Sequence, residues 1–163
     1  MDELNELNEL NEFNEFNELN ELNELNELNE LARFEMAKIV RFEDIHAWQK
    51  ARVLVKEVYC VSKTGTFSKD FGLRDQIRRA AVSIMLNIAE GFARKTRREF
   101  CQFLVISHGS VAEVQAALYV ALDQEYLSEL KFKELYELAD ETSKMTLGLI
   151  NYLRKNGGNE TTQ

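Results

Sequence analysis

Four stretches between Asp44 and Lys155 place apolar residues in steps of three and four, and no proline interrupts any of them. Such spacing gives each stretch one apolar helical face. The seven glycines are scattered, whereas a β-rich fold of this length needs denser turn punctuation. The expected class is therefore all-α. The first helix is expected over about Asp44–Ser62, with Asp44 as N-cap and Ile45, Trp48, Val55 and Val58 or Tyr59 turned inward. The second covers about Leu73–Gly91, burying Ile77, Ala81, Ile84 and Ile88. Asp75 and Arg79 are placed to pair across one turn, and Gly91 is the natural stop.

The third helix begins at Thr96-Arg97-Arg98-Glu99, which matches a capping box, and runs to about Gln124. Phe100, Leu104, Ser107, Val111, Val114, Leu118 and Ala121 form its stripe, widened by Phe103 and Ile106. Gly109 lies inside it at a cost of about 1 kcal/mol relative to alanine, so it reads as a point of close helix contact beside Ser107 and Ser110. The fourth helix, about Lys131–Lys155, keeps Leu135, Leu138, Thr142, Met145, Leu149 and Tyr152 in near-heptad register before Gly157-Gly158. Four such helices with short connections predict an antiparallel up-down four-helix bundle over residues 37–156, followed by a polar tail, 157–163. Phe67, Phe71 and Phe92 in the connections either plug the bundle ends or face a neighbouring subunit.

Residues 1–36 are different in kind. From Glu3 the chain repeats Glu-Leu-Asn, with Phe13 and Phe16 in place of leucine. At about 100° per residue an apolar position every third residue falls some 60° behind the last, so the stripe winds around a helix and cannot face one core. The period does not fit a half-buried strand either. Three readings stand: a disordered acidic low-complexity extension, an isolated helix, or a segment that pairs with its counterpart in another subunit. Met36, just after the repeat, is a possible internal start.

The net charge of -8 averages two unlike parts. Residues 1–36 carry twelve acidic residues and Arg33, a sum of -11, and residues 37–163 carry nineteen basic and sixteen acidic residues, a sum of +3. The bundle region alone is thus mildly basic, which suits a polyanion but is also common among proteins that bind none. Two cysteines, Cys60 and Cys101, make no disulfide framework. No signal peptide is visible and no uninterrupted apolar run approaches about 20 residues, so a cytoplasmic protein with no membrane partner is expected.

No enzyme signature is present: no phosphate-cradling glycine loop, no dinucleotide turn and no zinc-spaced Cys/His set. Cys101 and His108, seven apart, are too few for a structural metal, and no cofactor is expected. Asn87 and Glu90 read as an interhelical polar set, and Trp48 as a core or interface anchor. The candidate site is the basic group Arg74, Arg78, Arg79, Arg94, Lys95, Arg97 and Arg98, expected as one patch near an end of the second helix and the start of the third. Guanidinium groups suit phosphate because they offer a planar fork and a fixed charge. The competing reading is that these residues form solvated or intersubunit salt bridges with Asp75, Glu90, Glu99 and Glu113.

A run of motifs adds a resemblance. Phe42-Glu43-Asp44-Ile45-His46-Ala47-Trp48-Gln49-Lys50-Ala51, Phe71-Gly72-Leu73, Gln76 to Ile84, Asn87-Ile88-Ala89-Glu90-Gly91, Glu99-Phe100 with Phe103-Leu104, and His108-Gly109-Ser110 follow in order. Over about residues 38–155 the chain resembles the four-helix bundle proteins encoded in intervening sequences of bacterial 23S ribosomal RNA genes. The resemblance implies a ring-shaped homopentamer. A related branch, the accessory variability determinant proteins of diversity-generating retroelements, binds nucleic acid together with a reverse transcriptase. This chain departs from the pattern at Met85-Leu86, where the family commonly has proline and a small polar residue, and in lacking a proline after Phe67. The first departure removes an expected kink. Two functions are thus in contention: a non-catalytic oligomer that binds RNA or DNA, and a scaffold for a reverse transcriptase or another mobile-element protein.

Overall fold

The computed structural model describes residues 39–94 and 96–156, together with Asn20, Asn23, Asn26 and Glu27. Among the described residues there are helices and turns and no strand. A 3-10 turn at Phe42–Asp44 leads into α1 (His46–Ser62), and a second, Phe67–Lys69, precedes α2 (Phe71–Ala93). α3 (Arg97–Asp123) and α4 (Glu129–Asn156) complete the bundle. Each helix packs on its neighbour in sequence, and α1 closes against α4. The expected four-helix bundle is what the chain forms. The readings of the repeat, of Met36 and of the tail lie outside the described residues, apart from those four positions, which are helical and exposed.

The core follows the predicted stripes on α2 and α3, except that of the two residues expected to widen the α3 stripe Phe103 is half-buried and Ile106 exposed. Ile77, Ala81, Ile84 and Ile88 meet Leu104, Val111, Val114 and Leu118, all fully buried. On α1 the expected face is met in part: Ile45, just before the helix, and Val58 are buried as predicted, but the rest of the buried face is shifted. Ala47, Ala51, Leu54 and Val58 go inward, while Trp48 and Val55 are only half-buried and Tyr59 is exposed. Alanine at 47 and 51 lets α1 lie close to its neighbours, which leaves the larger Trp48 at the margin. On α4, Thr142 and Thr146 are buried without cost because each hydroxyl donates to the carbonyl four residues back, at 2.7 Å to Leu138 and 2.8 Å to Thr142. Lys50–Glu141 at 2.7 Å and Lys131–Glu57 at 2.9 Å pin α1 to α4 across the outside.

Gly91 and Gly109 both depart from their expected roles. α2 runs through Gly91 to Ala93, so that glycine is not a stop. A Cβ there would lie 2.7 Å from Phe103 Cβ and 2.8 Å from Phe100 Cδ2, so at Gly91 α3 leaves no room on α2 for a side chain. A Cβ at Gly109 would meet nothing within 4 Å, so that position is open rather than a close contact. The proline missing at Met85-Leu86 shows as an unbroken α2.

Capping differs at one end. Thr96 accepts from the Glu99 N–H at 3.2 Å and donates to its carboxylate, as expected. Asp70 caps α2 by accepting from Leu73 N–H at 3.0 Å and also accepts from the Tyr126 hydroxyl at 3.3 Å. Phe67, buried, stacks on Tyr126 at 5.2 Å and plugs that end, whereas Phe71 stays exposed and Phe92 packs edge-on to Phe100. Asp44 does not cap α1. Its carboxylate accepts from Arg41 N–H at 2.9 Å and Val40 N–H at 3.1 Å, closing the turn before the helix. Those two donors, Arg41 first, hold the Asp44 carboxyl below its ordinary 3.8. The stabilisation is complete above pH 3.8 and is lost as pH falls through the lower folded-state value. Acidification below that point should loosen the turn and the Phe42–Trp48 edge contact, shifting Trp48 emission. Asp44→Asn should show no such acid-dependent shift.

Candidate nucleic-acid interface

The outer face of α2 and the adjoining end of α1 bound an open groove of about 690 Å³. Arg78 and Arg79 stand in it, with Tyr59 from α1 on one wall and Leu86, Asn87 and Glu90 further along α2. Arg78 is held in place from two sides. Its Nε donates to the buried Ser62 Oγ at 2.7 Å, and its guanidinium lies over the Tyr59 ring at 4.7 Å. That leaves both terminal nitrogens of the fork for another acceptor. Arg79 Nη2 donates to Gln76 Oε1 at 2.9 Å; it does not pair with Asp75 as its spacing predicted.

The carboxylates at the groove are already compensated. Asp75 takes the Arg74 guanidinium at 2.8 Å, and Glu90 takes Arg94 one turn on. Among the described residues neither Arg78 nor Arg79 has a carboxylate partner. The groove therefore carries two guanidinium groups that no carboxylate among the described residues pairs with, a suitable setting for phosphate.

The predicted site residues do not gather into one patch. Arg74 is half-buried, stacked on Phe71 at 4.6 Å and donating to the Ser68 carbonyl at 3.0 Å, and it serves the loop before α2. Arg94 lies against Phe103 at 4.9 Å, fifteen residues beyond Arg79 and so about 22 Å along the axis. Arg97 and Arg98 are exposed at the start of α3, near Arg94, and Arg97 already has a partner. Lys95 lies outside the described residues. Two basic groups result, one at Arg78 and Arg79 and one at the α2–α3 corner. Asn87 works within α2 and through it to α3: it donates to Ser83, whose hydroxyl meets Ser110 Oγ at 2.9 Å. His108 Nε2 meets Ser143 Oγ at 3.0 Å, Cys60 is exposed and Cys101 half-buried. Among the described residues no three metal-ligating side chains cluster.

Sequence reasoning missed Tyr59 and Ser62 as parts of the site. The signal was weak, because both sit on the margin of the α1 stripe and gain meaning only when Arg78 is seen to reach across to them. It also missed the outer side of α3, where Val105, Ile106, Tyr119 and Val120 are all exposed. By length and composition α3 is apolar enough to cross a membrane, yet it also supplies nine buried residues to the bundle.

The fold is that of a four-helix bundle, with an open groove on its second helix in which Arg78 and Arg79 stand. Residues 43–148 match the family described as 23S rRNA-intervening sequence protein, and the chain belongs to that family. It is also similar in structure to a protein of unknown function of the S23 ribosomal protein family from Bacteroides thetaiotaomicron, with 21% identity and a TM-score of 0.59. That similarity covers 64% of this chain and 97% of the other. A search of curated proteins gives no match.

Proposed function

We propose that this chain is a non-catalytic, oligomeric protein of the cytoplasm that binds RNA or DNA mainly through phosphate, at the α2 groove. The carrying observation is the pair Arg78 and Arg79, standing in an open groove without carboxylate partners, with Arg78 pre-positioned by Ser62 and Tyr59. Oligomerisation would repeat the groove, so a weak site becomes strong by multivalency. Self-association is supported by the exposed apolar row Val105, Ile106, Tyr119 and Val120 on α3, a helix too apolar on its outer side to be left in water. The ring of five implied by the family resemblance is the assembly we propose.

The full chain should bind fluorescent single-stranded RNA and DNA at about 50 mM salt, with affinity falling steeply as salt rises. Light scattering on the same sample should report five copies. Absence of binding at low salt contradicts the groove reading, and a monomer contradicts the ring. The α3 row also favours a second reading, a scaffold for a reverse transcriptase or another mobile-element protein, with the arginines serving subunit contacts. Retention of that partner at salt that strips nucleic acid would support it.

A further inference from the structure

A second open groove, about 830 Å³, lies along the N-terminal part of α1 and shares no lining residue with the first. Trp48, Val53 and Met85 give it an apolar floor, and Arg41, Arg52 and Lys56 give it cations. Arg52 lies 6.0 Å over the Trp48 ring, and among the described residues neither it nor Lys56 has a carboxylate partner. Arg41 is the one of the three with acidic neighbours among the described residues: the half-buried Glu43 at 3.7 Å, which also lines the groove, and Asp44, whose charge it favours. The other α1 charges are committed elsewhere, Lys50 to Glu141 and Glu57 to Lys131. This groove suits an occupant that is both acidic and apolar.

Such a segment is attached to its edge. Residues 1–36 sum to -11 and place Leu or Phe beside nearly every glutamate, and only residues 37–40 separate them from Arg41 on the groove wall. The helical, exposed positions Asn20, Asn23, Asn26 and Glu27 occupy about 120° of a helical wheel at about 100° per residue. By sequence pattern alone, at about 100° per residue, Glu18, Glu21, Leu25, Leu28 and Ala32 share the opposite arc. The winding stripe, useless for a long core, thus supplies one short face that is apolar near the bundle and acidic further away. Read from the start of α1, the groove offers Trp48 first, then Arg52, then Lys56, which is the order an antiparallel segment would meet.

We propose that the acidic repeat folds back on its own chain and docks in this α1 groove, leucines toward Trp48 and Met85 and glutamates toward Arg52 and Lys56. The tether makes the contact intramolecular, at an effective concentration of order millimolar, so modest attraction suffices. The contact uses a different groove from the α2 site and stands or falls separately from nucleic-acid binding.

Trp48 is the single tryptophan and lies in the groove, so it reports occupancy directly. Acrylamide quenching of the full chain should rise about twofold between about 20 mM and about 500 mM salt, as screening releases the repeat. Full-length Glu18→Gln/Glu21→Gln and Arg52→Glu/Lys56→Glu should each show the higher quenching already at low salt. Combining Arg52→Glu/Lys56→Glu with Glu18→Lys/Glu21→Lys should restore protection. The repeat variants lie outside the bundle core, so unchanged far-UV circular dichroism keeps their result interpretable. Quenching indifferent to salt and to the repeat's charges would overturn the proposal. So would protection of Trp48 by added single-stranded DNA alone, with none from the repeat.

Discussion

Gly91→Ala is expected to destabilise the bundle by about 1–3 kcal/mol, and Gly109→Ala to stabilise it by up to about 1 kcal/mol, although both add the same methyl group to a helical glycine, one in the last turn of α2 and one mid-way along α3. Intrinsic helix propensity favours alanine at both positions. What differs is the neighbour. At Gly91 the new Cβ would stand 2.7 Å from Phe103 Cβ and 3.3 Å from the Phe100 carbonyl oxygen, neither of which is the free end of a flexible side chain. Relief requires α2 and α3 to move apart, which loosens the packing of Ile88 and Leu104, both fully buried. At Gly109 the methyl enters open space. Urea denaturation checks both, through midpoints that move in opposite directions at unchanged slope. Valine at 91 should cost more than alanine. A neutral Gly91→Ala would mean that the α2–α3 approach is looser than described.

Arg78→Gln/Arg79→Gln should weaken binding of single-stranded RNA by about 10–100-fold at low salt and nearly equally for all sequences, because the contacts are to phosphate. Arg74→Gln should change affinity much less. Its charge is already taken by Asp75 and its Nη1 by the Ser68 carbonyl, so little of it faces a ligand. Arg94→Gln should behave likewise, since Glu90 holds it. Equal losses for all these variants would point to a diffuse charge effect instead of a groove.

The bundle itself was legible in the sequence because helical spacing reports which side of a segment is apolar. The main stripes on α2 and α3 went inward position by position, while Ile106, expected to widen the second, faces out. Spacing does not report which helix lies opposite, and the misreadings fall there. Gly91 looked like a stop because a glycine ends many helices, yet Phe100 and Phe103 approach it from α3 and its missing side chain makes room for them. Asp44 looked like a helix cap, but it caps the backbone N–H groups of Val40 and Arg41 before it. The seven basic residues looked like one patch because they are close in sequence. A continuous α2 separates Arg79 from Arg94 by four turns, and Asp75 and Glu90 each neutralise a neighbour. The pairing of Arg78 with Ser62 and Tyr59 joins residues 16 and more positions apart, which no local pattern encodes.

The most direct test of the α2 groove is the slope of log affinity against log salt for single-stranded RNA, measured on the wild-type chain and on Arg78→Gln/Arg79→Gln. If the two guanidinium groups meet phosphates, the variant's slope should be shallower by about 1.4 per groove occupied, at about 0.7 per phosphate contact on a single strand. Identical slopes for the two proteins would show that phosphate is not bound there and would contradict the account.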